Sequence, residues 1–238
     1  MSSINHTTTD QPQTGASRKR QAILHAAATV FLRHGYVGTS MDEIAALAAV
    51  SKQTVYKHFA DKERLFTELV TATVTETSDQ VHEEVLTLED SGNLEDDLVD
   101  IARRTLANVM QPALLQLRRL VIGEATRFPQ LGRTFYALGP GRTIETLTAV
   151  FAQLTERGVL QLDDPCLAAE HFNWLIMSTL LNRAMFFGDD QPPAAADLDR
   201  HAQAGVRVFL AAYGTRGDAI DVARRTPDPR SARVRPSR

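Results

Sequence analysis

Residues 40–59, SMDEIAALAAVSKQTVYKHF, limit the fold of this chain more than any other stretch. Ser40 precedes an apolar helical pattern and Glu43 follows three positions later, which is the spacing of a capping box. In that motif each side chain bonds the other residue's backbone N–H. Ser51 then caps a second short pattern. The stretch therefore predicts two short helices joined by a tight turn.

The outer side of the second helix carries cations, hydroxyls, an amide and an aromatic ring. Val55 and Phe59 repeat at i, i+4 and are expected to face inward. The residues left for the outside are Lys52, Gln53, Thr54, Tyr56, Lys57 and His58. A surface that holds phosphates and reads base edges needs this mixture. The alternative is an ordinary helix pair whose polar side is solvated.

A preceding helix over residues 17–34 is predicted by an apolar stripe that includes Ile23 and Phe31. Gly35 follows where a left-handed cap belongs. Three such helices would form a small DNA-binding head whose recognition helix crosses the major groove. Thr39 and Ser40 would then point from a helix start toward phosphate.

Charge is strongly segregated along the chain. Residues 15–64 have eight Lys or Arg against four Asp or Glu, a formal charge of +4. Residues 65–223 total −11 and residues 224–238 total +5. A basic head on an acidic body suits a protein that presents one end to a polyanion.

The rest of the sequence predicts only helices, since no stretch alternates as a strand does, and the fold class is therefore all-α. A long helix starts at Asp61, and residues 89–93, EDSGN, are expected to form a loop. Breaks are expected at Pro112, Pro129, residues 139–141, Gly158 and residues 188–193. The later helices are expected at 94–110, 114–127, 130–138, 142–157, 165–187 and 198–213.

The two ends have the composition of unstructured segments. Residues 1–16 predict a disordered arm, and its exit at residues 18–20 would lie along DNA or simply begin a solvated helix. Residues 216–238 predict a flexible basic tail that adds at most weak nonspecific attraction to DNA. Cys166 is the only cysteine, and neither a signal peptide nor a membrane span is visible. We therefore expect a cytoplasmic protein without membrane contact.

An enzyme is the main competing class. The chain contains no HExxH, GxSxG or CxxC motif and no glycine loop for phosphate. The seven histidines lack metal-ligand spacing. Cys166 follows two acids, surroundings that do not favour a reactive thiolate. We therefore predict no catalytic residue, no metal and no cofactor. A helical interaction protein that does not bind DNA is a second competing class.

Residues 18–66 resemble the DNA-binding domain of the TetR/AcrR family of bacterial regulators. Residues 118–141 resemble, less specifically, the ligand domain of AefR-like members. The first resemblance is carried by Ile23, Ala26, Ala27, Phe31, Gly35, Tyr36, Thr39, Ile44, Ala45, Ala48, Val50, Ser51, Thr54, Val55, Tyr56, Lys57, His58, Phe59, Lys62, Glu63 and Leu65.

The resemblance implies a homodimer that reads a palindromic operator in double-stranded DNA and holds a small effector. It places the helix-turn-helix domain at residues 17–63 and the effector-binding and dimerisation domain at 64–215. Six residues fall on the recognition helix, namely Lys52, Gln53, Thr54, Tyr56, Lys57 and His58. Thr39, Ser40 and Lys62 fall on phosphate-contact positions. Ala49 stands where the family usually has Gly, so a positive φ there would add about 1 kcal/mol of strain.

The larger domain offers candidates for an effector pocket and for a dimer interface, although plain core explains many of them. The predicted pocket residues are Phe128, Phe135, Tyr136, Phe151, Trp174, Met177, Met185 and Phe186. Polar residues that would orient an effector are Arg103, Arg104, Arg118, Arg119, Glu124 and Asn173. The predicted interface residues are Ala168, Phe172, Leu175, Ile176, Thr179, Leu180, Val206, Phe209, Leu210 and Tyr213. The alternative to an interface is that these two helices lie inside a monomer.

These features predict a dimeric repressor that a small apolar effector releases from DNA by shifting the population between two conformers. An activator or a ligand-independent regulator remains open from the sequence. The operator, the effector and the regulated genes are not encoded in any motif of the chain.

Overall fold

The computed structural model describes residues 15–90, 92–188 and 193–215. In these ranges the chain is helical and holds no strand beyond one isolated bridge between Leu160 and Gly214. The all-α prediction is confirmed. The helices are α1 Gly15–Gly38, α2 Met41–Leu47, α3 Lys52–His58, α4 Lys62–Leu86, α5 Leu94–Val109, α6 Pro112–Glu124, α7 Pro129–Tyr136, α8 Arg142–Glu156, α9 Pro165–Phe187 and α10 Ala195–Tyr213.

The described residues form two compact units that divide inside α4, one up to Ala72 and the other from Thr73. The sequence predicts a division at residue 63. The predicted arm falls largely on residues 1–14, which lie outside the described residues. The predicted basic tail over 216–238 lies outside them as well.

The first unit packs α1, α2, α3 and the start of α4 around an aromatic core. Phe31 and Phe66 are both buried, with ring centroids 4.8 Å apart, and Tyr36 stacks beside them. Val55 and Phe59 are fully buried, as their inward spacing predicts. Because Val55 and Phe59 are anchored in this core, the opposite face of α3 points outward.

Gly35 interrupts α1 with φ 69° and ψ 178°: its φ is positive, as in the predicted left-handed cap, but its ψ is extended, a conformation that residues with side chains rarely adopt. Glycine adopts it without the steric cost that a side chain would bring. The chain then continues in the same helix to Gly38 after a kink, so α1 extends past the predicted end at residue 34.

The second unit has one continuous apolar core built by α5, α8, α9 and α10. Three buried rings, Phe151, Phe172 and Phe209, meet at its centre with centroid distances of 5.1–5.8 Å. Gly205 allows α10 to approach α9 closely, because a Cβ there would lie 3.0 Å from Ile176 Cγ2. None of the described helices is long and apolar enough to cross a membrane.

The predicted break at residues 139–141 is wrong. A wide π-helical turn, Ala137–Gly141, joins α7 directly to α8. Pro140 has no N–H to donate and its ring crowds the preceding turn, and a π turn accommodates both effects. Gly141 is needed there because a Cβ would lie 3.1 Å from the Tyr136 carbonyl oxygen. The predicted breaks at Pro112 and Pro129 fall where one helix ends and the next begins, since α5 ends at Val109 and α6 at Glu124. Each proline occupies the first turn of the later helix.

Candidate functional site

The helix α3 is held at its start by the cap that the sequence predicts. Ser51 Oγ accepts a hydrogen bond from the Thr54 N–H at 3.1 Å. The residues predicted for the recognition helix all lie on α3 or its last turn. Lys52, Gln53, Tyr56 and Lys57 are exposed, whereas Thr54 and His58 are half-buried.

The turn between α2 and α3 is a Schellman motif centred on Ala49. Ala49 has φ 53°, and its N–H donates to the Ala46 carbonyl at 3.2 Å. The Val50 N–H donates to the Ala45 carbonyl at 3.1 Å. This pattern of bonds requires the left-handed residue between them. Alanine therefore adopts the conformation for which glycine is better suited, and the turn keeps both bonds.

Two predicted phosphate contacts have their polar atoms engaged at the end of α1. Thr39 is 4 % exposed, and its hydroxyl donates to the Gly35 carbonyl at 2.7 Å. Lys62 Nζ donates to the carbonyls of Tyr36 and Thr39, each at 2.9 Å, and to that of Val37 at 3.3 Å. The sequence predicts phosphate contacts for both side chains, but the structure pairs them with carbonyls that α1 leaves unpaired.

Ser40 is exposed at the start of α2, and its Oγ accepts from the Glu43 N–H at 3.1 Å. The other half of the predicted capping box has a different partner, because Glu43 Oε1 lies 3.1 Å from His34 Nε2. Lys52 also has an acidic neighbour that the local sequence does not reveal. Its Nζ lies 2.7 Å from Asp42 Oδ1, and this pairing raises the pKa of the ammonium group.

The basic residues at 18–20 lie on α1, so in this structure they are part of a helix. Arg20 pairs with Glu68, and its guanidinium lies 5.3 Å from the centroid of the Phe59 ring. Arg18 and Lys19 are exposed.

A cavity of about 40 Å³ lies inside the second unit and is lined by residues of α4, α5, α6, α7, α8, α9 and the π turn. Its lining is mainly apolar. The lining residues are Val74, Thr77, Ser78, Val81, Thr105, Val109, Leu114, Arg118, Phe135, Gly139, Pro140, Thr143, Asn173, Trp174, Met177 and Leu181.

Three predicted pocket residues, Phe135, Trp174 and Met177, border this cavity. The other five do not. Phe151 belongs to the apolar core of the second unit, and Met185 packs against that core. Tyr136 and Phe186 are 52 % and 82 % exposed, and Phe128 is half-buried at the start of α7. An aromatic or Met residue at helical spacing does not reveal which side of its helix meets a void rather than packed side chains.

Among the predicted polar residues, Arg118 and Asn173 border the cavity. Burial lowers the pKa of the Arg118 guanidinium, although as a residue Arg118 is only partly buried. Arg103 pairs with Asp199 and Asp100, and Arg104 lies 4.0 Å from Asp100.

The last two predicted polar residues also lie away from the cavity. Arg119 donates to the Ala184 carbonyl at 2.9 Å, and Glu124 is half-buried at the end of α6. Ser78 is 4 % exposed and also lines the cavity, but sequence reasoning missed it, because nothing in its local pattern separates it from other small polar residues.

Most of the predicted interface residues are buried inside the chain itself. These are Ala168, Phe172, Ile176, Leu180, Val206, Phe209 and Leu210. Leu175 and Tyr213 are half-buried and Thr179 is exposed. The inward faces of α9 and α10 pack on each other and on α5 and α8, so their apolar stripes serve the core. The groove that α9 and α10 leave open on the outside is lined by His171, Trp174, Leu175, Ser178, Thr179, Val208, Phe209, Ala212 and Tyr213.

The chain has a capped helix-turn-helix followed by a helical unit that holds a cavity. This arrangement is typical of helix-turn-helix transcriptional regulators. The sequence signature described as "Bacterial regulatory proteins, tetR family" matches residues 23–69. The signature described as "AefR-like transcriptional repressor, C-terminal domain" matches residues 96–215. The chain therefore belongs to the TetR family of bacterial regulatory proteins, as the resemblance of its head predicts.

Solved structures agree over most of the chain. A protein from Mesorhizobium loti assigned to the TetR family is 43 % identical, with a TM-score of 0.80 over 85 % of this chain and 100 % of its own. The flavonoid-responsive regulator FrrA is 32 % identical, with a TM-score of 0.64 over 84 % of this chain and 98 % of its own.

Curated relatives match over a smaller part of the chain. The transcriptional regulator AcrR of Shigella flexneri is 30 % identical over 109 residues, which are 46 % of this chain and 48 % of AcrR. The chain spans about half or less of the length of the first curated relatives that it matches. The family that these signatures describe consists of bacterial regulatory proteins.

Proposed function

We propose that this chain is a homodimeric repressor that binds a palindromic operator through α3 and leaves it when a small molecule enters the cavity of the second unit. The observation that carries the proposal is the capped α3, whose buried Val55 and Phe59 leave Gln53, Tyr56 and Lys57 exposed together. The acidic remainder of the chain disfavours DNA elsewhere. Such a regulator acts in the bacterial cytoplasm, and we assign it no catalytic role.

Within α3 we assign different tasks to different side chains. Gln53 can bond the N6 and N7 atoms of adenine in the major groove, and the methyl of Thr54 suits thymine. Tyr56 and Lys57 are assigned to the phosphate backbone, where contacts fix position without reading sequence. In the structure without DNA, Lys52 forms an ion pair with Asp42, so a contact between Lys52 and DNA would have to compete with that pair.

Selection of bound duplexes from a random pool tests this assignment. Gln53→Ala should relax one base position per half-site and cost about 1–3 kcal/mol there. Lys57→Ala should weaken all duplexes nearly equally and reduce the salt dependence of binding by about one phosphate contact. Arg133→Ala is the matched control, because Arg133 is an exposed cation of α7 in the second unit. Uniform losses from Gln53→Ala would refute its role in base reading.

The cavity is proposed to act on the head through α4. This helix supplies Val74 and Val81 to the cavity lining, while its first turns supply Leu65 and Phe66 to the core of the first unit. At about 40 Å³ the cavity is far below the roughly 300 Å³ of a typical small-molecule site. A ligand must therefore open it, and displacement of α4 would change the spacing of about 34–36 Å that two recognition helices need.

Gly139→Ala imitates that displacement without a ligand. A Cβ on Gly139 would lie 3.1 Å from Val74 Cγ2, so the π turn would press on α4. We expect weaker operator binding with no effector present. Gly123→Ala is the control, because a Cβ at this helix position meets nothing within 4 Å. Equal operator affinity for both variants would argue against coupling through α4.

The groove outside α9 and α10 is the proposed contact with the second copy. Trp174 and Val208 remain 39 % and 55 % exposed there. Light scattering after size exclusion should give about twice the chain mass of 26.3 kDa, and Val208→Asp should shift it toward the single chain. A 26.3 kDa species for the unaltered chain at micromolar concentration would end the dimer proposal.

A further inference from the structure

Two residues that line the cavity each carry a buried polar atom to which the described residues supply no hydrogen bond. Neither Arg118 Nε nor Ser78 Oγ has a hydrogen-bond partner among the described residues, although both atoms are buried. Asn173 is 2 % exposed and Thr105 is 3 % exposed, and both border the same cavity. Buried polar groups are nearly always hydrogen-bonded in folded proteins, so such a cluster needs an explanation.

Among the residues that the structure describes, Arg118 is the one charged residue that lines this cavity. No ion pair joins it to a carboxylate of the described residues, and its nearest aromatic partner is Phe135, 5.3 Å from the guanidinium carbon to the ring centroid. A ring face attracts a cation but does not neutralise it. A partly desolvated cation without a counter-charge costs free energy that an anion would recover.

Water alone does not account for the arrangement. A cavity of about 40 Å³ holds a few waters, each needing roughly 10–15 Å³ of such space. Waters can hydrate the guanidinium, but they bring no negative charge. The same volume fits a carboxylate group, which accepts from a guanidinium, a hydroxyl and an amide N–H at once.

We propose that the effector is an organic acid, whose carboxylate pairs with Arg118 and bonds Ser78 and Asn173 while its apolar body opens the cavity along Phe135, Trp174 and Met177. The proposal rests on the assignment of this cavity as the effector site. It adds the chemical class of the ligand, because a neutral apolar molecule would leave the Arg118 charge unpaired. Trp174, the only tryptophan in the chain, provides a reporter at the site.

The test compares acids with their neutral isosteres on the full chain without DNA. Benzoate, phenylbutyrate and octanoate are titrated against Trp174 fluorescence, each beside its primary amide. Charge-assisted hydrogen bonds favour the acid by about 10-fold or more over an amide of the same shape. Arg118→Met should bring that ratio to about one, and Arg118→Gln repeats the test with a polar side chain if the Met variant folds poorly.

Arg133→Met is the matched control, since it removes an exposed cation that does not line the cavity. It should leave the preference for acids intact. Equal affinity for acids and amides overturns the proposal, as does a preference that survives in both Arg118 variants or a complete lack of response to the three acids. Duplex binding is measured separately. Loss of DNA binding with acid binding retained would contradict the proposed function alone, and DNA binding without acid selectivity would contradict this inference alone.

Discussion

The helix ends of the first unit and the cavity of the second treat polar groups in opposite ways. At the end of α1, Thr39 and Lys62 supply donors to four carbonyl contacts, and the starts of α2 and α3 are capped by Ser40 and Ser51. Around the cavity, Arg118 Nε and Ser78 Oγ have no described partner.

The polar groups at the helix ends stabilise the fold of the first unit, whereas the polar groups around the cavity are proposed to bind a ligand. Satisfied polar atoms at helix ends fix the direction of α3, which a reading surface needs before DNA arrives. Unsatisfied atoms lower the stability of the ligand-free protein, and a matching ligand restores what they cost. Substitutions in the two regions should therefore change stability in opposite directions.

Lys62→Met should give the largest effect. It removes a charged donor from the carbonyls of Tyr36, Val37 and Thr39 and ends the contact with the Tyr36 ring at 4.7 Å. We expect the free energy of unfolding of the first unit to fall by about 2–3 kcal/mol. Urea unfolding followed by circular dichroism measures it. An unchanged midpoint would mean that Lys62 is available for phosphate after all.

Arg118→Met should change stability in the opposite direction. Replacing an uncompensated, partly buried cation with an apolar side chain of similar length should raise the stability of the ligand-free protein by about 1–2 kcal/mol. The same unfolding assay measures the change. Loss of stability would assign Arg118 a structural role with Phe135 and would break the contrast between the two regions.

Ala49→Gly should give the next largest change in the free energy of unfolding, and it should stabilise the first unit. The left-handed φ of 53° costs alanine about 1 kcal/mol that glycine avoids, partly offset by the greater freedom of glycine in the unfolded chain. We expect the free energy of unfolding of the head to rise by at most about 1 kcal/mol, which a higher thermal midpoint would report. Destabilisation would show that the alanine methyl makes a contact worth more than the strain.

Glu84→Gln should have the smallest effect and sharpens the contrast, because Glu84 Oε2 is buried and unpaired but does not line the cavity. Burial raises the pKa of this carboxyl, with the Arg104 charge opposing the shift. A raised pKa means that ionisation disfavours the folded state, so stability falls as pH rises through the folded-state pKa. Glu84→Gln should raise the free energy of unfolding by well under 1 kcal/mol at neutral pH, since the carboxyl group is partly exposed.

The pH dependence of that gain checks its origin. The difference between Glu84→Gln and the unaltered chain should shrink as the pH falls through about 4 and vanish well below it, where the carboxyl is neutral in both states. Acid binding reported by Trp174 should not change. A change in acid binding would extend the effector site beyond the cavity described here.

The sequence predicts the head more fully than the cavity, for a physical reason. Caps, staples and inward spacing act between residues that are close in sequence, so Ser40, Ser51 and Phe59 can be assigned from local patterns. The partners of Lys62 and Lys52 come from 10 or more positions away and escape such patterns. The cavity joins residues from six helices and the π turn, so only Phe135, Trp174 and Met177 of the predicted set border it.

The same limit explains the interface. An apolar stripe states that a helix face is buried, but not whether a neighbouring helix or a second chain buries it. Phe172 and Phe209 are therefore core residues of one chain, while the less apolar outer sides of α9 and α10 line the open groove. The π turn escaped prediction because residues 139–141 have the composition of a loop.

The central claim is that occupancy of the cavity controls the grip of α3 on DNA. The most direct test is the affinity for a selected operator duplex, measured by fluorescence anisotropy while Trp174 reports saturation of the cavity by an acid. We predict that the dissociation constant of the duplex rises at least 10-fold in step with saturation, a coupling within the usual range for linked sites. An unchanged dissociation constant at full saturation would contradict the account.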